Sequence, residues 1–254
     1  MLHIASTQHR GKKVVNQQDA LFDGQQCIQS NDFPVTHYQY EREACVLAIA
    51  DGVSISPQSH LASMTCVKLI SEMSQSFPFN AHLIRQVHER LCQKLAKGET
   101  YGSSTTVVAA KISTEHLDIL NSGDSRAYFI SAQGEWRQLS HDHTIINGLI
   151  ESGEADASTE YAGIYYGLEH CLVADFEEGD FKIHHQSIKF QKGDSLLLCS
   201  DGVHDVLGEQ QLQKLFNSGC DAEKQVDVWR QAILKKGASD HFSMIFVKNQ
   251  SSSL

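Results

Sequence analysis

The chain has 254 residues, a formal net charge of −10 at pH 7 and a hydrophobic fraction of 41%. This length fits one large domain or two small ones, and the acidic balance argues against nucleic-acid binding, which requires a basic face. No apolar run is long enough to span a membrane, and the first residues lack the apolar core of a secretory signal. The seven cysteines form no CxxC pair, which indicates free thiols. We therefore expect a cytoplasmic protein without a membrane span.

Short segments rich in aliphatic, β-branched and aromatic residues recur along the chain and predict strands. Several of them are almost continuously apolar, which is typical of strands that are buried on both faces. The clearest segments are 45–50, 104–112, 117–121, 126–131, 195–200 and 242–247. A shorter strand is expected directly after Asp19.

Three segments carry apolar residues at the spacing of one helix face. One lies behind Pro57, one follows Asn80, and one follows Asp221, a residue type that caps helix N-termini. The first of these helices is expected to bury Leu61, Met64, Val67 and Ile70. Because helices and strands do not alternate regularly, the order indicates an α+β fold with helices flanking antiparallel sheets. We expect one domain over residues 1–248 and a frayed tail over residues 249–254.

The most informative feature is a set of aspartates, each next to the end of a predicted strand. They are Asp19, Asp51, Asp124, Asp201 and Asp240. A single Asp-Gly pair is an ordinary turn, but carboxylates that the fold brings together repel one another unless they are neutralised. Magnesium and manganese bind oxygen ligands of this kind. We therefore predict a divalent-metal centre at one end of a sheet sandwich, where Gly52 lets its own backbone carbonyl approach a metal.

With these pieces the chain resembles the metal-dependent serine/threonine protein phosphatases, the type 2C or PPM family. The matching pieces stand in the family's order and are NQQDALF, LAIADGVSISPQSHLAS, GSSTTVVAAKI, LDILNSGDSRAYFI, WRQLSHDHT, LLLCSDGVHDVL and SDHFSMIFV. They cover nearly the whole chain, and GDSRAY with the later CSDG piece is the most specific part. The resemblance implies a single phosphatase catalytic domain, built as a four-layer α-β-β-α sandwich of two antiparallel sheets with helices on both outer sides.

The resemblance also implies a centre of two manganese or magnesium ions. The residues that match metal ligands of the family are Asp19, Asp51, Gly52, Asp124, Asp201 and Asp240. Asp51 matches the bridging ligand, Gly52 matches the carbonyl ligand, and Asp19 matches an acidic residue that contributes directly or through water. Asp124 with Asp201 matches a third, weaker metal site of bacterial-type members.

The implied reaction is hydrolysis of phosphoserine or phosphothreonine in proteins. In it, a metal-bridged hydroxide attacks phosphorus in line with the leaving oxygen. The catalytic carboxylates would be Asp51, Asp201 and Asp240. The implied partner is a phosphoprotein, either a serine/threonine kinase or the target of one.

One departure from the family pattern concerns the substrate phosphate. The family places a phosphate-binding arginine three residues after a glycine near the amino terminus, and here Val14 stands at that distance from Gly11. Arg10, Lys12 and Lys13 are the candidates to bind phosphate instead. Lysine lacks the bidentate fork of arginine, so the substitution predicts weaker phosphate binding.

Other departures lie in the loops beside the predicted ligands. Val53 stands where one branch of the family has a histidine general acid, so water or another group must protonate the leaving oxygen. The final motif reads Asp240-His241 where the family has Asp-Asn. The sequence leaves three roles open for His241, which are to tune the carboxylates, to contact substrate or to face solvent.

These departures keep two other functions in view. One is a catalytically weak or inactive pseudophosphatase that binds phosphoproteins as a regulatory module. The retained carboxylates argue against it, because without a metal they would repel one another. The other is a metal-dependent hydrolase of a small phosphate ester on the same fold. Preference for a phosphopeptide over small esters distinguishes it from a protein phosphatase.

Overall fold

The computed structural model describes residues 1–12, 15–41 and 44–250. The strands in these ranges are Leu2–His9 (β1), Ala20–Phe22 (β2), Cys27–Ile28 (β3), Asp32–Tyr40 (β4), Ala44–Ala50 (β5), Ser104–Thr105 (β6), Val107–Ser113 (β7), His116–Ser122 (β8), Arg126–Ile130 (β9), Trp136–Gln138 (β10), Leu172–Val173 (β11), His184–Lys189 (β12), Ser195–Cys199 (β13) and Phe242–Asn249 (β14). The α-helices are Ser59–Met73 (α1), Ala81–Leu95 (α2), Ile145–Glu151 (α3), Asp201–Leu207 (α4), Glu209–Leu215 (α5) and Ala222–Lys235 (α6).

The strands form two large sheets and a small ribbon. The first sheet has the order β10-β9-β13-β14-β1-β4, the second has the order β12-β8-β7-β5-β2-β3, and β11 pairs with β6. Neighbouring strands run antiparallel in both large sheets. The predicted α+β fold with antiparallel sheets is therefore confirmed.

Three apolar clusters show how the sheets and helices are layered. The middle cluster contains residues of both sheets, such as Leu47 of β5 and Leu198 of β13. A second cluster joins the outer face of the second sheet to α1 and α2, where Ile84 is fully buried. The third joins the outer face of the first sheet to α4, α5 and α6 and surrounds Trp229. The layers thus follow the predicted α-β-β-α order.

The predicted segments are present, with differences at particular residues. The segment 104–112 is split into β6 and β7, because the Thr106 backbone N–H donates to the Asp51 carbonyl at 2.8 Å. The prediction that Leu61 lies in the core is wrong, since it is 38% exposed. α1 instead buries small residues such as Ala62 and Cys66. β14 continues to Asn249, one residue past the predicted domain end.

The predicted cap at Asp221 is formed, and Asn80 caps its helix in the same way. The Asn80 side chain accepts a hydrogen bond from the His82 N–H, and the Asp221 side chain accepts one from the Lys224 N–H. Each satisfies a backbone donor that the first turn of a helix leaves unpaired. Among the described residues, no helix has the length and apolar character that crossing a membrane requires.

Candidate metal centre

Strand ends of both sheets meet at one edge of the sandwich, and the predicted carboxylates lie there. Asp51 follows β5, Asp124 lies in the turn between β8 and β9, Asp201 is the first residue of α4 after β13, and Asp240 precedes β14. These four aspartates and Gly52 line one cavity of about 250 Å³. Folding therefore brings together side chains that stand far apart in the sequence.

The backbone of Asp51 is held by two neighbouring threonines. Its N–H donates to Thr106 Oγ1 at 3.1 Å, and its carbonyl accepts from the Thr106 N–H at 2.8 Å and from Thr105 Oγ1 at 2.9 Å. Because the second sheet fixes these contacts, the Asp51 side chain leaves the end of β5 in a defined direction.

Gly52 lies where any side chain would collide with the backbone. A Cβ atom at this position would lie 2.7 Å from the Ser59 carbonyl oxygen and 2.8 Å from the Gln18 carbonyl oxygen. The Gly52 N–H itself donates to the Gln18 oxygen at 3.2 Å. The glycine therefore allows α1, the segment before β2 and the Asp51 loop to pack closely.

We expect Gly52→Ala to lower the free energy of unfolding by about 1–3 kcal/mol, since neighbouring backbone must shift to admit the methyl group. Thermal unfolding of the purified variant measures this loss. Gly163→Ala is the matched control, because a Cβ at Gly163 meets nothing within 4 Å. Equal melting temperatures for the two variants would show that the Gly52 contact is not tight.

Asp19 lies behind the cavity and is fully buried. Its Oδ2 accepts hydrogen bonds from Ser200 Oγ at 2.8 Å and from Ser243 Oγ at 2.7 Å. Its Oδ1 is buried and has no hydrogen-bond partner among the described residues. Buried polar atoms are rarely left unpaired, so this oxygen fits a water molecule or a cation at the predicted centre.

The carboxylates of this cluster are harder to ionise than ordinary aspartates. Burial raises the pKa of Asp19 to about 6, although the charge of His241 and two serine hydroxyls oppose the shift. Burial and the Asp201 charge raise the pKa of Asp124 to about 7. Burial, followed by the charges of Asp19 and Asp201, raises the pKa of Asp51 well above its usual value. A bound cation would reverse this preference for the protonated form.

The donor set fits hard divalent ions. In the ranges that the structure describes, no three His, Cys, Asp or Glu side chains are arranged as a group that could hold a metal ion as they stand. Magnesium and manganese keep several waters and use few carboxylates each, so ions held partly through water suit these oxygens and the unpaired Asp19 Oδ1. The role of each aspartate as a ligand stays a prediction.

Two of the predicted phosphate-binding residues, Arg10 and Lys12, are not among the described residues that line the cavity. Arg10 Nη1 donates to the Val15 carbonyl at 2.9 Å, and Lys12 is exposed. Lys13 and Val14 lie outside the described residues. Phosphate binding by Arg10 or Lys12 therefore stays a prediction.

Several residues that line the site were missed in the sequence. Lys236 lines a neighbouring cavity of about 390 Å³ together with Asp201 and Asp240, and its only signal is its place four residues before Asp240. Tyr166 and Leu168 line the carboxylate cavity. His241, whose role the sequence left open, is 2% exposed, so the solvent-facing role is wrong.

Comparison with known proteins establishes the family. A family model described as Protein phosphatase 2C matches residues 24–236. The chain belongs to this family. The matched range begins after Asp19 and ends before Asp240, so the assignment does not depend on either residue. The resemblance seen in the sequence is thereby confirmed, and with it the class of metal-dependent serine/threonine protein phosphatases.

Individual relatives agree with this assignment. The serine/threonine phosphatase stp of Listeria innocua is 27% identical over 214 residues, which cover 80% of this chain and 84% of the relative. The crystal structure of the Mycobacterium tuberculosis serine/threonine phosphatase PstP/Ppp superimposes with a TM-score of 0.78 at 17% identity, covering 99% of this chain and 100% of that chain. A structure of the PstP catalytic domain in complex with 2 manganese ions has a TM-score of 0.73 at 18% identity, covering 99% and 100%. At these identities the two structures show the fold.

Proposed function

We propose that this chain hydrolyses phosphoserine and phosphothreonine esters of proteins in the carboxylate cavity, with two divalent ions held by Asp51, Gly52, Asp201 and Asp240. The observation that carries the proposal is the convergence of these residues on one cavity in a chain of the protein phosphatase 2C family. Asp124 with Asp201 would form a third, weaker site. Asp19 would contribute directly or through water.

Divalent ions at such a site supply positive charge for the phosphate oxygens and make water a stronger acid. The residues of the chain do the rest. Burial and the charges of Asp19 and Asp201 raise the pKa of Asp51, so this carboxyl must release a proton before it can bind an ion. Ser200 and Ser243 hold Asp19 oriented behind the cavity. Tyr166 and Leu168 line the same cavity as the carboxylates and would contact a bound substrate.

The partner and the location are proposals of the same kind. The substrate would be a phosphoprotein, either a serine/threonine kinase or its target, which agrees with the names of the relatives. A cytoplasmic location is supported by seven free cysteines, since thiols persist in reducing compartments. The retained carboxylates and the family match favour turnover over a pseudophosphatase.

We expect the purified protein to release phosphate from a phosphothreonine peptide with added manganese and to stop when a chelator is present. Phosphate release is measured against time, with p-nitrophenyl phosphate as the small-ester comparison. A higher kcat/KM for the peptide supports a protein phosphatase. Absence of turnover in folded, manganese-loaded protein would instead support the phosphoprotein-binding module.

A further inference from the structure

His241 connects the candidate metal centre to the amino-terminal segment. Its Nδ1 lies 3.2 Å from Asp240 Oδ1, and its Nε2 lies 2.9 Å from the Asn16 carbonyl oxygen. A carbonyl oxygen only accepts hydrogen bonds, so Nε2 carries the hydrogen of the second contact. The side chain is almost completely buried and therefore contacts neither solvent nor a docked substrate.

The segment that His241 reaches is called here the N-terminal loop and comprises residues 10–12 and 15–17. It lies directly against the backbone before β14. The Lys12 N–H donates to the Ala238 carbonyl at 2.9 Å. Gly11 has a φ of +74° and leaves no room for a Cβ beside the Asp240 carbonyl. Backbone contacts and the His241 ring thus hold this loop beside Asp240.

The N-terminal loop carries Arg10 and Lys12, two of the cations that the sequence offers for the substrate phosphate. Neither lines the cavity, and the family's arginine place is taken by Val14. The positive charge that Arg10 and Lys12 add to that of the proposed ions therefore depends on where the loop lies relative to Asp240. The His241 ring contacts both parts, because its Nδ1 faces the Asp240 carboxylate and its Nε2 donates to the Asn16 carbonyl of the loop.

We propose that His241 is a positioning residue that holds the basic N-terminal loop against Asp240, so that a substrate phosphate meets the loop and the carboxylate cavity together. This inference rests on the proposed phosphatase function. It gives a role to His241, which stands where the family has asparagine in its last motif. The bond to Asn16 carries that role.

Two variants separate the two contacts of the ring. His241→Gln places an amide nitrogen near the position of Nε2 and keeps a donor for the Asn16 carbonyl. His241→Asn places its amide near Nδ1 and is too short to reach Asn16. We expect His241→Asn to raise KM for a phosphothreonine peptide about tenfold, the effect of losing one hydrogen bond of about 1.4 kcal/mol. kcat should stay within about twofold, and His241→Gln should keep the wild-type KM within about twofold.

His88→Asn is the matched control. His88 is also buried, and its Nε2 lies 2.8 Å from the Val173 carbonyl, but it belongs to α2 on the outer face of the second sheet. This variant should lose thermal stability without a change in KM. A KM that rises equally in His88→Asn and His241→Asn would show a general loss of packing and would overturn the proposal.

Limited trypsin digestion gives a readout that needs no turnover. Cleavage after Arg10 or Lys12 should be faster in His241→Asn than in His241→Gln or the wild type. Equal cleavage rates together with equal KM values in all three proteins would overturn the proposal. If the wild type shows no turnover, the proposed function fails, while the cleavage rates still decide whether His241 holds the loop.

A second pair of variants covers the case in which His241→Asn does not fold. Lys12→Ala and Lys12→Pro both remove the lysine charge, but only proline removes the N–H that donates to Ala238. A higher KM and faster cleavage after Arg10 in Lys12→Pro are expected, because the loop then loses its backbone contact. Identical behaviour of the two variants would count against a role for loop position.

Discussion

Replacing Asp201 by asparagine is expected to lower kcat/KM by on the order of a hundredfold or more and to raise the melting temperature of the metal-free protein. The loss of activity follows from removing a carboxylate that lines the cavity and is proposed to bind an ion, since ions of this kind supply several kcal/mol of transition-state stabilisation. The gain in stability has a separate cause in the charge cluster.

Asp201 is a charge that the metal-free fold holds unfavourably. Burial raises its pKa, a hydrogen bond with Asp51 opposes the shift, and the Asp240 charge adds to it. Asparagine at this position removes one charge that repels the neighbouring carboxylates, and its amide N–H can donate a hydrogen bond to one of them. We expect a gain of about 1 kcal/mol, which for a chain of this size raises the melting temperature by about 2–4 °C.

Asp194→Asn is the matched control, because Asp194 is a buried aspartate outside the carboxylate cavity. Its carboxylate accepts from the Ala132 N–H at 3.0 Å and from the Gln191 N–H at 2.7 Å. The amide loses part of this acceptor capacity, so Asp194→Asn should be less stable and remain active. Near-wild-type activity of Asp201→Asn, or a lower melting temperature in chelator, would contradict the assigned centre.

The fold could be predicted in outline because its strands are buried on both faces. Segments such as Ala44–Ala50 and Ser195–Cys199 are almost entirely apolar and short, and local composition is enough to identify them. The exposed edge strand Asp32–Tyr40 shows no comparable run and was not predicted. α4 was missed because the Asp201-Gly202 pair indicates a turn locally, whereas the structure begins a helix there.

The identity of the candidate site residues could be predicted from residue types and motif order, but their surroundings could not. The five aspartates could be named from their strand ends, but their environment comes from contacts between distant parts of the chain. Ser200 and Ser243 bind Asp19 from positions 181 and 224 residues away. The contact between His241 and Asn16 is of the same kind. Sequence periodicity carries no information on such pairs, since they form only when the two sheets are packed.

The stabilisation of the protein by manganese should increase as the pH rises from 5 to 7.5. Asp19 and Asp124 have pKa values raised to about 6 and about 7, so in the metal-free folded protein they hold protons that the unfolded chain releases. The stability that these protonated groups contribute is complete below their ordinary pKa near 3.8 and is lost as pH rises through 6 to 7. Ions must displace the same protons and therefore bind best where that stability has been lost.

The difference between manganese and chelator is the quantity to measure, because other groups titrate in the same range. Burial lowers the pKa of His143 to about 4. The stability that neutral His143 contributes is present above its ordinary pKa and is lost as pH falls towards 4. Its pH dependence is therefore opposite to that of Asp19 and Asp124. Such groups contribute equally with and without the ion, so they cancel when the two melting temperatures are subtracted.

We expect this difference in melting temperature to grow by about 4–8 °C between pH 5 and 7.5. This corresponds to a gain of about 2 kcal/mol in the free energy of manganese binding, because at pH 7.5 the ions no longer have to displace protons from Asp19 and Asp124. Asp201→Asn, which lacks one proposed ligand, should lose most of the manganese effect, and Asp19→Asn should flatten its pH dependence. If manganese binds the wild type but the difference is the same at pH 5 and 7.5, the ions are not held by these carboxylates.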